Sequence, residues 1–374
     1  VAAVAGVEHD RRDRIGAHHI GQGLHADLRA GDRLLFYTTT SWMMWNWEIT
    51  CLALGATLVL HDGAPTYPDA PALFDSAALT DTTHLGLSAR VLDYMKGEGV
   101  DLASHVGPSL RQVLITGSPL SVPTAEWLAA QIGPDIMINP ISGGTDLVGC
   151  FVGGDPTRPF FAGEMTGPIL GTAVDVYTDA GVRADDNEPG ELVCLQQFPT
   201  VPVGIWGDDT GERLRATYFD VWSGIWVHGD RAVRSEHGGI AILGRSDATL
   251  NVGGVRIGTA EIYASLAEHE LVADSLAFGQ EWDGDTRIVL LVVTNGGVDL
   301  DDDAHASIKS AIREACSPRH VPAVIVAVPE LPRTQTGKLS EIAVREAVHG
   351  REVKGIGALA NPESLVTIVA AVPK

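Results

Sequence analysis

Residues 244–262 read GRSDATLNVGGVRIGTAEI, and this stretch decides how the rest of the chain divides. Arg245, Asp247 and Arg256 stand among glycines that would let the backbone approach a ligand closely. A Gly-rich turn that leads into a helix capped by Thr259 accounts for the glycines and for the helix. It does not account for the charges. The stretch therefore predicts a binding loop at the start of a second domain.

The chain before this stretch alternates between short apolar runs and helical patterns. One helical pattern, Glu126–Ile132, ends at the Gly133-Pro134 pair. Such alternation predicts an α/β subdomain. The apolar runs with turn residues at their ends are Leu34–Thr38, Ala56–Leu60, Gln112–Ile115 and Asp135–Asn139.

The pattern of predicted strands and helices changes at two further points along the chain. From Phe160 to Leu243, short β-like segments are separated by Gly, Pro and Asp, which predicts a β-rich subdomain. After Gly244, helical and strand patterns alternate again, and the acidic stretch Glu281–Asp285 resembles the turn of a hairpin. We predict a large domain over residues 1–245, made of the α/β and β-rich subdomains, and a small α/β domain over residues 246–374.

The charge balance excludes one class of partner. Lys and Arg number 26 against 48 Asp and Glu, so the formal net charge is −22, which repels nucleic-acid backbones. Small nucleotides stay possible ligands, because the electrostatics of a site are set within a Debye length of about 8 Å. The charge therefore predicts no nucleic-acid partner and leaves small-molecule ligands possible.

The cysteines and the amino-terminal residues bear on location. The four cysteines are scattered singly along the chain, which favours a reducing cytoplasm over a disulfide framework. The apolar run 1–7 is too short to span a membrane and is followed at once by charged residues. We expect a cytoplasmic protein without a membrane partner.

Residues 244–262 closely resemble the signature of the adenylate-forming superfamily, which contains acyl-CoA synthetases, adenylation domains of peptide synthetases and luciferases. The resemblance implies a partial AMP-binding (adenylation) domain followed by a small mobile domain. Four further motifs stand in the order that the family shows: Gly117-Ser118-Pro119, Ser142-Gly143-Gly144-Thr145-Asp146, His228-Gly229-Asp230 and Lys338.

Within the superfamily, the amino-acid sequence of the motifs is most similar to that of acetoacetyl-CoA synthetases, and the similarity runs from about Leu24 to the end of the chain. Residues 37–46, 142–146 and 250–262 carry this similarity. It implies an acid-thiol ligase that uses ATP, Mg²⁺ and coenzyme A to convert acetoacetate to acetoacetyl-CoA through an acyl-adenylate, releasing AMP and pyrophosphate.

The resemblance assigns the nucleotide contacts. The loop Gly117-Ser118-Pro119 would hold the adenine. Asp230 would bind the ribose hydroxyls with Arg245 as second partner, although a turn aspartate beside Gly229 is the simpler interpretation. Asp146 would hold Mg²⁺ with the Thr145 hydroxyl on phosphate, which suits an ion that takes one or two carboxylates plus phosphates. Many relatives carry Glu where Asp146 stands.

The resemblance also assigns the catalytic lysine and the hinge. Lys338 would bridge carboxylate and α-phosphate oxygens, on a mobile loop that contains Thr334, Thr336 and Gly337. Taken by itself, Lys338 is more simply interpreted as a solvated lysine at a helix amino-terminus. Asp247 matches the hinge about which the small domain swings, and a turn cap is the alternative. Gly253 and Gly254 would line the pantetheine tunnel, with Arg256 on phosphate.

The size of the acid pocket is predicted from one residue that differs between this chain and acetyl-CoA synthetases. Acetyl-CoA synthetases carry a bulky tryptophan where Gly143 stands, so its absence would open the pocket to a four-carbon acid. Trp42, Trp45 and Asn46 are candidates to line that pocket together with Gly143 and Gly144. A cluster of Trp and Met is more often part of a core.

The resemblance also fails in one place. The upstream Gly-, Ser- and Thr-rich loop ending in Lys, which wraps the β- and γ-phosphates in this superfamily, is not found in the sequence. Residues 1–23, with His18, His19 and Gly21, match the family poorly. We therefore expect the amino-terminal subdomain to be absent. Two alternatives stay open: a ligase for another short acid such as propionate, butyrate or a 3-hydroxy acid, and a non-catalytic remnant that binds nucleotide or CoA.

Overall fold

The computed structural model describes residues 7–252, 255–282, 285–335 and 337–373. Contacts between Cα atoms divide them into two compact units. Unit 1 runs to His228 and includes Ala232–Ala241, whereas unit 2 holds Gly229–Arg231 and the chain from Ile242 onward. The predicted division after residue 245 lies close to the second of these boundaries.

Fourteen strands precede Ser246 in the described chain. They are β1 (Val7–Glu8), β2 (Arg33–Phe36), β3 (Thr57–Val59), β4 (His84–Ser88), β5 (Gln112–Thr116), β6 (Met137–Pro140), β7 (Ser142–Gly144), β8 (Gly149–Gly153), β9 (Gly167–Pro168), β10 (Val174–Tyr177), β11 (Gly190–Cys194), β12 (Gly204–Ile205), β13 (Trp226–Arg234) and β14 (Ile240–Arg245). The later strands are β15 (Leu250–Val252), β16 (Val255–Ile257), β17 (Val272–Trp282), β18 (Asp285–Thr294) and β19 (Val324–Ala327).

The α-helices occur in both units. They are α1 (Arg11–His19), α2 (Met43–Ile49), α3 (Ala72–Leu79), α4 (Ala89–Gly97), α5 (Val122–Ile132), α6 (Glu212–Tyr218), α7 (Thr259–Leu266), α8 (Asp302–Ala315), α9 (Glu341–Val348) and α10 (Ser364–Ala371). Among the described residues, no helix has the length and apolar character that crossing a membrane requires.

A five-stranded parallel sheet forms the frame of unit 1, in the order β3-β2-β4-β5-β6. Successive side chains point to opposite faces, so Leu35 packs with α3, α4 and α5, whereas Leu34 and Phe36 pack with α2. Both faces are buried, which explains why these strands are nearly continuous apolar runs. Because the strands are parallel, the segments that follow β2, β4, β5 and β6 all begin at one edge of the sheet.

Smaller sheets complete unit 1. β7 and β8 pair antiparallel, β8 and β9 do the same, and β10, β11, β13 and β14 form a four-stranded sheet. β1 pairs antiparallel with β12, joining Val7 to Ile205. The β-rich texture predicted between Phe160 and Leu243 is therefore confirmed.

Unit 2 contains the sheet β17-β18-β19, in which β17 and β18 form a long antiparallel hairpin and β19 is parallel to β18. One face of this sheet packs on α7 and α8, the other on α9 and α10. The predicted hairpin is confirmed on both sides of its tip. A two-stranded ribbon, β15-β16, precedes the sheet.

Three local features differ from expectation. β4, which is the central strand, was not predicted, because its five residues HLGLS contain Gly and no β-branched side chain. The helix α10 was also missed, since its β-branched residues give little helical preference on their own. The predicted cap at Thr259 is wrong: Gly258 is the N-cap, its N–H donates to Glu261 Oε2 at 3.2 Å, and Thr259 is the first helical residue.

Candidate active site

The predicted adenine loop and phosphate motif follow neighbouring parallel strands. The loop Gly117-Ser118-Pro119 begins where β5 ends, and the motif from Ser142 to Asp146 begins just after β6. Ile141 N–H donates to Ile115 O at 2.8 Å, and the Thr116 hydroxyl donates to Ile141 O at 2.9 Å. In open parallel sheets, ligands bind outside the carboxyl ends of the strands. The sheet thus brings these two motifs together as a site requires.

Trp42 also lies at this edge, beside Gly117. Gly117 has φ +93°, and a Cβ built there would lie 3.7 Å from Trp42 Cη2 and 3.6 Å from Ser88 Cβ. Trp42 is half-buried and its ring meets Phe36 edge-on at 6.2 Å. Of the three predicted pocket residues, Trp42 is therefore placed next to the adenine loop, whereas Trp45 and Asn46 lie half-buried farther along α2.

The Trp and Met cluster has a core role as well. Met43, Met44 and Trp47 are buried against β2 and β5, with Trp42 at the margin of the same cluster. Glu48 is buried among them, and the N–H of Phe36 donates to its Oε1 at 2.9 Å. Burial raises the pKa of Glu48 to about 7, which the Phe36 hydrogen bond only partly offsets.

Neighbouring atoms leave little room for a side chain at Gly143 and Gly144. A Cβ at Gly143 would lie 2.0 Å from Gly149 O and 2.6 Å from Cys150 Cα, because β8 pairs directly against it. A Cβ at Gly144 would lie 3.0 Å from His228 Cε1. The side-chain direction at Gly143 is thus filled by backbone. This is a structural reason for glycine that the comparison with a tryptophan did not reveal.

Asp146 and Thr145 follow the same glycines and are half-buried. The Tyr218 hydroxyl donates a hydrogen bond to Asp146 Oδ2, and the Tyr218 ring stacks on Trp226 at 3.6 Å. The described residues contain no group of three or more His, Cys, Asp and Glu side chains that could hold a metal. A cation here would depend on one carboxylate plus ligands from a nucleotide.

The predicted ribose aspartate and its partner meet in unit 2. Arg245 Nη1 donates to Asp230 Oδ1 at 3.3 Å, and Arg245 Nε lies 3.4 Å from Asp247 Oδ1. Asp230 is buried, whereas Arg245 is more than half exposed. Gly229 has φ +80°, and a Cβ there would lie 3.2 Å from Arg245 Nη2. The glycine of the motif therefore leaves room for the guanidinium.

Lys338 projects from a short, closed loop. Arg333 and Leu339 form a β-bridge, Thr334 N–H donates to Lys338 O at 2.8 Å, and Gly337 has φ +83°. Partial loss of hydration lowers the pKa of the Lys338 amino group. The negative charge of Asp230 raises this pKa, whereas the positive charge of Arg245 lowers it further. The side chain nonetheless reaches solvent. Unit 2 thus brings Lys338, Asp230 and Arg245 within electrostatic range of one another.

Asp247 lies in a 3₁₀ turn, Ser246–Ala248, just after β14. Its carbonyl accepts a hydrogen bond from Arg345 Nη1 at 2.8 Å. Gly253 and Gly254 lie outside the described residues. So does the side chain of Arg256, whose backbone belongs to β16. The predicted tunnel glycines and phosphate contact stay predictions.

Sequence reasoning missed several residues around the site. Tyr218 and Trp226 lie far along the chain from Asp146, and the ring of His228 is 5.0 Å from that of Phe151 on β8. No local pattern identifies such contacts, because they depend on how α6 and β13 fold back onto the β7-β8 pair.

The amino-terminal segment is part of unit 1 and is held there by hydrogen bonds of its side chains. His18 Nε2 lies 2.5 Å from Val148 O, Gln22 Nε2 donates to Trp47 O at 2.5 Å, and His25 Nδ1 lies 2.7 Å from Gly154 O. Burial lowers the pKa of His18 to about 4, so this ring stays neutral at physiological pH. His18 and Gly21 line a small cavity of about 20 Å³ together with Trp47, Cys150 and Thr200.

A family comparison matches more than half of the chain. The model described as AMP-binding enzyme covers residues 6–198, and the model for the AMP-binding enzyme C-terminal domain covers residues 261–338. The chain belongs to the AMP-binding enzyme family. This confirms the resemblance seen in the motifs. The matched region begins at residue 6 and so includes most of the segment 1–23.

Curated relatives of this AMP-binding chain are acetoacetyl-CoA synthetases. The protein of Rhizobium meliloti (strain 1021) is 50% identical over 342 residues, which are 91% of this chain and 52% of the relative. The Gallus gallus protein is 39% identical over 345 residues, with 91% and 52% covered. The chain therefore spans about half the length of the curated relatives that it matches.

A solved structure agrees with the fold. Acetoacetyl-CoA synthetase from Streptomyces lividans superposes with a TM-score of 0.90 at 35% identity, covering 97% of this chain and 56% of the other. The predicted fold class is confirmed: an α/β subdomain and a β-rich subdomain are followed by a small α/β domain.

Proposed function

We propose that this chain carries out steps of an ATP-dependent acetoacetate:CoA ligase reaction, which forms acetoacetyl-CoA through an acyl-adenylate. The observation that carries the proposal is the arrangement of three charged side chains in unit 2. Asp230 pairs with Arg245 at 3.3 Å, and both act electrostatically on Lys338, which stands on a closed loop. A cation beside a buried carboxylate suits a nucleotide whose ribose is held by the aspartate and whose α-phosphate meets the ammonium.

In the first half-reaction, a carboxylate oxygen of the acid attacks the α-phosphorus of ATP, and the bond to pyrophosphate breaks. Negative charge accumulates at the α-phosphate while this occurs. The Lys338 ammonium would offset this charge, and Asp230 would fix the ribose through its hydroxyls. The loop Gly117-Ser118-Pro119 would receive the adenine.

Mg²⁺ fits the residues present at the predicted position. The donors are oxygens, the carboxylate of Asp146 and the hydroxyl of Thr145, which is the ligand type that Mg²⁺ prefers. One carboxylate accords with an ion that takes most of its other ligands from phosphates and water. When bound, the ion would neutralise phosphate charge. The Tyr218 hydrogen bond would hold the Asp146 side chain in place.

In the second half-reaction, the thiol sulfur of coenzyme A attacks the acyl carbon, AMP leaves, and the thiol proton passes to solvent. Asp247 is the proposed hinge about which the small domain would swing between the two half-reactions. It stands in the turn after β14, and its carbonyl accepts a hydrogen bond from Arg345. Gly253 and Gly254 are proposed to line the pantetheine path, with Arg256 on a phosphate. We further place the enzyme in the cytoplasm, in accord with its four free cysteines.

Acetoacetate is proposed as the acid because both relatives and the solved structure that we compared are named acetoacetyl-CoA synthetases. The pocket would be formed by Trp42, Trp45 and Asn46 together with Gly143 and Gly144. The Trp42 ring lies beside Gly117, where a built Cβ would be 3.7 Å from Cη2, and this position supports a pocket beside the adenine loop.

A substrate panel tests this proposal. The purified chain is supplied with ATP, Mg²⁺, CoA and one acid at a time, and pyrophosphate release is measured. Acetoacetate should exceed propionate, butyrate and 3-hydroxybutyrate in kcat/KM, and a higher value for any of these acids would reject acetoacetate as the substrate. Calorimetry with AMP and with CoA separates the remaining alternative, since binding without acyl-adenylate formation would identify a non-catalytic nucleotide- or CoA-binding protein.

A further inference from the structure

The loop that carries Lys338 is tied to the sheet of unit 2 through one side chain, that of Arg333. Its Nη1 donates to Gly337 O at 2.6 Å, and its Nη2 donates to Asp274 Oδ2 at 2.5 Å. Gly337 O belongs to the peptide group that links Gly337 to Lys338. The guanidinium therefore acts on the peptide that immediately precedes the lysine.

The other end of this bridge is itself held. Asp274 lies in β17 where the pairing with β18 shifts register, and its Oδ1 accepts a hydrogen bond from Ser275 N–H at 3.0 Å. Both carboxylate oxygens thus have a donor. Four-fifths of the Arg333 side chain and nearly three-quarters of the Asp274 side chain are shielded from solvent, so the pair is screened less than a surface ion pair.

The backbone of Arg333 is fixed as well. Its N–H donates to Asn361 Oδ1 at 3.0 Å, and its carbonyl accepts from Ala360 N–H at 2.8 Å. The base of the loop is therefore anchored. The far side, which carries Gly337 at φ +83° and then Lys338, depends on short hydrogen bonds to Thr334 and on the Arg333 guanidinium.

We propose that Arg333 is a positioning residue for Lys338, and that it does so by joining Gly337 O to the Asp274 carboxylate. The proposal rests on the proposed function, because it concerns how the lysine of that site is held. An ammonium that must meet an α-phosphate has to stand within a fraction of an ångström of its working place, and a misplacement of about 1 Å costs on the order of a hundredfold in rate.

The chemistry of the guanidinium explains why arginine suits this position. Its planar fork presents two N–H donors at a fixed angle, one for a carbonyl and one for a carboxylate. A lysine would keep the charge but has a single, freely rotating donor group. Arg333→Lys should therefore keep the ion pair with Asp274 and lose the simultaneous contact with Gly337 O.

Hydrogen exchange tests the anchoring without any turnover. The full chain and the variants Arg333→Gln, Arg333→Lys and Asp274→Asn are compared, with Arg351→Gln as matched control, since Arg351 pairs with Glu281 at 2.5 Å in the same unit. We expect exchange in peptides that contain residues 337–339 to rise about tenfold in Arg333→Gln and less in the other two variants. Peptides from β18 should be unchanged, as should all peptides of the control.

The half-reactions test the catalytic consequence. In Arg333→Gln, the kcat for adenylation of acetoacetate should fall on the order of a hundredfold, with little change in KM for ATP. Thioester formation from supplied acetoacetyl-AMP should stay within about twofold, because it does not use Lys338. A variant that merely destabilised unit 2 would lower both half-reactions together.

Each outcome decides one question. Unchanged exchange at residues 337–339 in Arg333→Gln, or an equal loss of both half-reactions, would overturn the positioning role. If Arg333→Gln does not fold, Asp274→Asn, which keeps the side-chain shape, takes its place. If the unmodified chain forms no acyl-adenylate, the proposed function fails by itself, and the exchange measurement alone decides whether Arg333 positions the loop.

Discussion

The candidate site residues of unit 1 and those of unit 2 are positioned in different ways. In unit 1, Gly117 follows β5, Gly143 lies in β7 and Asp146 follows β7, while Tyr218 reaches Asp146 from a helix far along the chain. In unit 2, Lys338 stands on a loop of a few residues that closes on itself between Arg333 and Leu339. The first set depends on the whole sheet, the second on a few local hydrogen bonds. A change at the lysine should therefore affect chemistry alone, whereas a change in the glycine motif should affect site and stability together.

Lys338→Ala is the strongest test of the local side of this comparison. Adenylation should fall by about a thousandfold or more, roughly 4 kcal/mol, because the charge that meets the α-phosphate is lost. The melting temperature should stay unchanged, since the side chain is exposed. Single-turnover formation of acyl-AMP and of thioester from supplied acyl-AMP are measured. Lys354→Ala, an exposed lysine of the same unit, is the control, and an equal loss in that variant would contradict the assignment.

Gly143→Ala tests the dependence of unit 1 on its frame. The new Cβ would stand 2.0 Å from Gly149 O, so β7 and β8 must move apart, at a cost of about 3 kcal/mol in the free energy of unfolding. AMP affinity should fall with it. Gly97→Ala is the matched control, because a Cβ there meets nothing within 4 Å, and it should change stability by less than about 1 kcal/mol. Urea unfolding measures both. Equal stability of the two variants would sink the packing argument.

Glu48 allows the frame of unit 1 to be tested by pH. Its pKa is raised to about 7 from an ordinary value of 4.5, so the folded chain keeps a proton that the unfolded chain releases between these two pH values. The contribution of Glu48 to stability should therefore be complete below about pH 4.5, fall by about 2 to 3 kcal/mol as the pH rises to about 7, and be lost above that value.

The matched variants isolate that contribution. Glu48→Gln should remove this part of the pH dependence and should be more stable than the unmodified chain at pH 8. Glu98→Gln, an exposed carboxyl at the end of α4, should leave the slope intact. Urea midpoints at pH 5 and pH 8 provide the comparison, and a slope that survives in Glu48→Gln would show that other groups cause it.

Asp230→Asn is the mildest change, because the amide keeps the shape and one acceptor. AMP affinity should fall about tenfold, since charge-assisted hydrogen bonds to the ribose become neutral ones. Calorimetry with AMP measures the loss. Asp186→Asn, which alters an ion pair with Arg234 on the same strand as Asp230, should leave AMP affinity unchanged. A similar loss in both variants would mean that the strand, rather than the ribose contact, is affected.

Much of the fold could be predicted from the sequence because its signals are local. α5 ends at the predicted residue, Ile132, and β17 and β18 lie on either side of the predicted acidic turn. β4 and α10 escaped, since their local preferences are weak and only tertiary burial makes them regular. The cap before α7 was off by one residue, because Gly258 uses its backbone N–H rather than a side chain.

The sequence by itself determined which residues are candidates for the site. The order of the glycine motifs, the aspartate after Gly229 and the lysine after Gly337 can all be identified without coordinates. Only the tertiary structure decided what surrounds them. It placed Tyr218 on Asp146, β8 against Gly143, Arg245 beside Asp230, and the Arg333 guanidinium between Gly337 and Asp274. The physical reason is range: backbone preferences and turns act over a few residues, whereas hydrogen bonds and packing between distant segments exist only after the chain has folded.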